Sequence, residues 1–250
     1  MRKENIFLRK ERKMNREKIF NRQIETLECN KTVLNILPGE MLLADFMEEE
    51  LCLEGSYYIP FNEAICEGEV TKEIFSKEFI KQRAKSLNVS EDVYISKTKD
   101  CLNSISEEDY DIVHLWFGLD MNCIMNLILV LAYFEQQKIN KKFYITFIDD
   151  YTQEISGLLT EVTIKDWLKI YESAFFKGEV YNNQLPTMFV NGINNFLKFK
   201  SKKNELTKYI LENDFLSKDA IVEHFLKYNK ILGLSKDAYS RLVDRVRKNN

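Results

Sequence analysis

Residues 112–137, IVHLWFGLDMNCIMNLILVLAYFEQQ, constrain the fold more than any other stretch. An apolar run stops at a glycine, an aspartate follows, and a longer apolar run begins at once. The first run, YDIVHLWF (Tyr110–Phe117), predicts a strand. Asp120–Gln137 predicts a strongly apolar helix, and KKFYITFID (Lys141–Asp149) a second strand. Two strands joined through a helix of this length predict a right-handed crossover in a parallel sheet.

An earlier unit repeats the pattern. TVLNIL (Thr32–Leu37) is a β-branched, apolar run that stops at Pro38-Gly39, as a buried strand does. GEMLLADFMEEE then spaces Met41, Leu42, Phe46 and Met47 as a helix, and SYYIPF (Ser56–Phe61) predicts another strand. Amphipathic helices are expected over Thr71–Leu87 and Ser90–Ile105, with Thr71 and Ser90 as N-caps. Beyond about Ser156 the pattern is helical throughout: Thr163–Phe176, Gln184–Phe199, Glu205–Glu212, Ser217–Lys227 and Ser235–Lys248. The expected fold class is therefore α/β. A Rossmann-like parallel-sheet domain spans 32–155, and a helical C-terminal region spans 156–250.

Residues 1–31 stand apart. They carry ten Lys/Arg against five Glu, leaving 26 Lys/Arg against 34 Asp/Glu in the remainder. This basic N-terminal extension reads as a solvated helix or a disordered tail. A nucleic-acid or protein partner would meet the chain there or along 201–250. Met14 offers an alternative start. The last helix has mixed charges, SKDAYSRLVDRVRK, which argues little for a DNA-reading role.

Composition removes several functional classes. No run approaches 18 uncharged apolar residues, so no membrane partner is expected. Five scattered cysteines without a CxxC pair point to reduced thiols and a cytoplasmic location. With only His114 and His224, a histidine-rich metal site or a Ser-His-Asp triad is poorly supported. No GxGxxG or Walker A sequence is present.

Ligands of open parallel sheets bind outside the carboxyl ends of the strands. Four junctions fall there: Gly39-Glu40, Asn62-Glu63, Gly118–Asp120 and Asp149-Asp150. Their acids could accept hydrogen bonds from sugar hydroxyls, hold a divalent cation such as Mg²⁺, or serve as a general base. The candidate ligand-binding residues are Gly39, Glu40, Glu63, Gly118, Asp120, Asn126 and Asp149. Glu63 and Asp120 are the candidate catalytic residues. Acids at helix starts are also ordinary caps, and the two roles are compatible for Glu40 and Asp120. Cys123 would sit where a helix N-terminus activates a thiol, yet no histidine is near in sequence and Leu127 marks an inward face. A packing role suits it better. Asn126, an amide inside an apolar helix, requires partners.

In order, LPGEMLLADF, EGSYYIPFNEAICEGEV and LWFGLDMNCIMN resemble the bacterial domain of unknown function 1835 family. Gly39, Glu63, Gly68, Trp116, Phe117, Asp120, Cys123 and Asn126 match its motifs, and the likeness runs from about Thr32 to Val246. Departures occur at Glu40, Asn62, Glu69, Gly118 and Ser235-Lys236. The resemblance implies the architecture, in a divergent member with different ligand preferences or in one that has lost an activity, and brings no activity with it.

The expected function is binding of a small nucleotide- or sugar-like ligand at the acidic strand ends. Were it an enzyme, hydrolytic or transfer chemistry with a carboxylate base would fit. On this view Glu63→Ala removes ligand stabilisation and hardly changes the unliganded melting point. The alternative is a regulatory or interaction protein that contacts nucleic acid or a protein through its helical C-terminus and basic tail.

Overall fold

The computed structural model describes residues 16–27, 31–148, 159–181 and 184–248. A helix over 16–27 (α1) precedes β1 (Val33–Leu37), α2 (Glu40–Glu48) and β2 (Tyr57–Pro60). Helices α3 (Lys77–Leu87) and α4 (Glu91–Glu107) lead to β3 (Ile112–Phe117), α5 (Met121–Gln136) and β4 (Lys142–Phe147). Next come β5 (Thr160–Val162) and α6 (Trp167–Glu172), which runs into a π turn at Ser173–Lys177. Helices α7 (Thr187–Lys200), α8 (Glu205–Glu212), α9 (Lys218–Tyr228) and α10 (Lys236–Lys248) follow, with a 3-10 turn at Lys230–Leu232 before α10.

The five strands form one mixed sheet in the order β2-β1-β3-β4-β5. The first four are parallel and β5 pairs antiparallel to β4, with Phe143 opposite Val162. β5 arises from the stretch expected to be helical. Three residues are too few for a periodic signal, and pairing with β4 decides the conformation. α3 likewise begins later than Thr71 suggests. Ser76 caps it by accepting the Phe79 N–H, while Thr71 hydrogen-bonds the Glu73 carbonyl in the preceding loop.

Alternation along the strands divides the core. Leu34, Ile36, Val113, Leu115, Phe117, Phe143 and Ile145 belong to the larger core with α3–α10. α5 lies inside that layer, between the sheet and helices α6 and α7, and every residue from Ile124 to Phe134 is buried. That explains an apolar sequence with no polar stripe. At its crossing with α7, a Cβ on Gly192 would overlap Ile124, so glycine permits the approach.

The other face meets Ile19 of α1 with Leu42 and Phe46 of α2. It buries polar groups within the sheet: Trp116 Nε1 donates to Asn35 Oδ1 at 2.9 Å, and His114 Nε2 lies 2.8 Å from Thr146 Oγ1. Gln23 of α1 closes this layer, donating to the Leu51 carbonyl at 2.6 Å and accepting from the Tyr58 hydroxyl. No helix among the described residues is long and apolar enough to cross a membrane.

Candidate functional site

From β1 the chain crosses outward to β2, and from β3 it crosses outward the other way to β4, so the connections diverge between β1 and β3. Continuing the Ile36–Leu115 register places Gly39 level with Gly118 at the carboxyl ends of these neighbours. Gly39 has φ 137° and ψ 174°, a conformation that side-chain-bearing residues avoid. It is also the N-cap of α2 and has no side chain with which to cap it. Beside it, the exposed Glu40 accepts from Asn62 Nδ2 at 3.2 Å, which joins the ends of β1 and β2.

Asp120 caps α5, its Oδ1 accepting the Cys123 N–H at 2.9 Å. Burial raises the pKa of this carboxyl above the usual carboxylate range, although the N–H and S–H donors of Cys123 oppose the shift. Glycine at 118 makes room for the cap. A Cβ there would lie 2.8 Å from Asp120 Oδ2 and 3.1 Å from Cys123 Sγ. From the C-terminal half, Gly233 closes over the same carboxylate in a left-handed turn with φ +61°. Cys123 itself is buried, as a packing residue would be.

Glu63 is enclosed. Its side chain and that of Arg83 are both 0% exposed, and Arg83 donates to Glu63 Oε1 at 2.8 and 3.2 Å. The Tyr94 hydroxyl donates to Glu63 Oε2, and the Ala64 N–H to Oε1 at 2.9 Å. Burial works against the guanidinium charge, but Glu63 and Tyr94 together outweigh it and hold the Arg83 pKa above its ordinary value. The same burial and the neighbouring carboxylate push the Tyr94 phenol up. Arg83 also donates to the carbonyls of Ala64, Glu67 and Glu69. Asn126 Nδ2 reaches the Glu63 carbonyl at 2.7 Å, while its buried Oδ1 has no hydrogen-bond partner among the described residues.

The loop after β2 is thereby nailed down from several directions. Glu67 forms a two-pronged ion pair with Arg241 of α10 at 2.8 and 2.9 Å. Lys200 of α7 donates to the Gly68 carbonyl at 2.7 Å, and the Glu69 N–H donates to Ser86 Oγ at 3.0 Å.

The expected acids thus divide. Glu40 remains exposed, Asp120 serves as a cap, and Glu63 anchors its own loop. Asp149 lies outside the described residues. No group of three or more His, Cys, Asp or Glu side chains that could hold a metal ion occurs among the described residues. Arg83, Tyr94 and Gly233 were not singled out from the sequence. Arg83 left a trace there, four residues after Phe79 on the inward face of a helix, where a lone cation implies a buried partner. Gly233 left none, because the contact it permits joins distant segments. Comparisons with protein-family models, with curated proteins and with solved structures found no match to this chain.

Proposed function

We propose that this chain is a cytosolic, Rossmann-like small-ligand-binding protein whose site lies between the carboxyl ends of β1 and β3. Its ligand is nucleoside- or sugar-like and is held through its hydroxyls. The carrying observation is the exposed Glu40–Asn62 pair, which joins the ends of β1 and β2 beside Gly39, next to the gap where the sheet connections diverge. Ligands of doubly wound sheets sit in that crevice. A carboxylate acceptor with an amide donor suits vicinal hydroxyls, whereas a bare phosphate would be repelled by Glu40. The uncapped start of α2 leaves backbone N–H groups open to a hydroxyl or carbonyl oxygen. The resemblance to the domain of unknown function 1835 family supports the Rossmann-like architecture in this reading, and the turn before α10 backs the Asp120 side of the crevice through Gly233.

A thermal-shift screen of nucleosides and monosaccharides tests the proposal, since a ligand of the native state raises its melting temperature. A hit should vanish in Glu40→Ala and Asn62→Ala, whose unliganded melting temperatures should match the parent. A screen without any shift refutes it.

A further inference from the structure

A cavity of about 410 Å³ opens between the end of α7, the turn into α8, α10 and the loop at Gly68. Lys200, Lys202 and Arg245 line it, and no carboxylate does. This is unusual in a chain whose net charge is −3.

The cations are held there by the fold. Lys200 spends one N–H on the Gly68 carbonyl, whose loop is fixed by Arg83 and by the Glu67–Arg241 pair. Its other two donors remain available. Burial lowers the Lys200 pKa, and the nearby Arg245 lowers it further, while Glu69 acts in the opposite direction. On α10, Arg241 is neutralised by Glu67. Arg245, one turn further along the same face, makes no hydrogen bond or ion pair among the described residues, and neither does Lys202. Like charges gathered around a concave surface repel unless an anion sits between them. Phe199 and the buried Leu242 supply an apolar wall beside them. The volume lies within the range of small-molecule sites.

We propose that this cavity binds a phosphorylated small molecule. The phosphoryl group is held by Lys200, Lys202 and Arg245, and the organic part lies against Phe199 and Leu242. Three cations match a phosphoryl dianion better than a single carboxylate, and a guanidinium grips two of its oxygens at once. The site is separate from the hydroxyl-binding crevice, whose acidic Glu40 would repel this ligand.

The test uses the full chain at fixed ionic strength, with glucose 6-phosphate, inorganic phosphate and a short single-stranded oligonucleotide as titrants in calorimetry. Saturable binding of glucose 6-phosphate, tighter than that of inorganic phosphate, is the expected result. Both Lys202→Glu and Arg245→Glu replace exposed side chains, and their combination should weaken binding at least tenfold while the unliganded melting temperature holds. Glu40→Ala should bind as the parent does. Three results would overturn the proposal: no saturable binding, binding undiminished in the double variant, or an oligonucleotide that binds more tightly than the sugar phosphate.

Discussion

Gly233 sits so close to Asp120 that a Cβ at position 233 would overlap Oδ1 of the carboxylate. The turn before α10 and the cap of α5 are therefore one packed unit. Gly233→Ala combines that overlap with a left-handed backbone and should cost about 2–4 kcal/mol. Asp120→Ala should cost about 1 kcal/mol through the lost cap. In the double variant the overlap with the carboxylate is gone and only the Cβ of residue 120 remains, at 3.0 Å, so its loss should fall below the sum of the two. Urea midpoints of the four proteins measure this, and strict additivity would show that the contact carries no strain.

Asp120 also has a pH signature. Its folded pKa is raised, so its favourable contribution is complete below the unfolded carboxyl value and is lost as pH rises through the folded one. Asparagine caps a helix as well as aspartate and has no charge to bury. Asp120→Asn should equal or exceed the parent in stability at pH 7, and the margin should shrink towards about pH 4. Denaturant titrations at the two pH values decide it; a variant markedly weaker at pH 7 contradicts the account.

Glu63→Ala leaves the buried Arg83 guanidinium without its counter-charge. Loss of one member of a buried pair costs about 3–5 kcal/mol, so the unliganded protein should melt well below the parent. This reverses the expectation formed from the sequence, in which Glu63 faced a ligand and its removal hardly touched the melting point. Replacing both members by apolar residues, Glu63→Leu with Arg83→Met, should cost less than Glu63→Ala alone. Calorimetric melting of the three proteins is the measurement.

His114 is fully buried in the sheet, and burial, helped by Arg22, depresses its pKa from 6.5 to about 3. A depressed pKa means that the unfolded chain takes up the proton first. Stability from this site is present above pH 6.5 and is lost as pH falls towards 3, by about 5 kcal/mol in full. Between pH 7 and 4.5 the parent should lose about 2–3 kcal/mol more than His114→Gln, whose side chain does not titrate. Parallel acid slopes in the two proteins would place the histidine in contact with water.

β1 and β3 were legible because each is a short apolar run closed by glycine or proline, at Leu37-Pro38-Gly39 and Phe117-Gly118. The Asp120 cap was legible too, since the residue that accepts the Cys123 N–H is set by local spacing. β5 was not, because a three-residue edge strand exists only through its pairing with β4. The role of Glu63 was hidden for the same kind of reason. A carboxylate after a strand looks alike in sequence whether it faces a crevice or a buried arginine twenty residues on.

Local regularities thus came from the sequence by itself: where β1 and β3 end, which aspartate starts a helix, and that 120–137 is a strongly apolar helix. Hydrophobic period and capping act over a few residues and need no partner. Tertiary structure alone decided which charges meet. It gave Glu63 to Arg83 and Glu67 to Arg241, laid Gly233 over Asp120, and left Lys200, Lys202 and Arg245 facing one cavity without an acid. Charge interactions depend on distance and burial, which chain order does not encode.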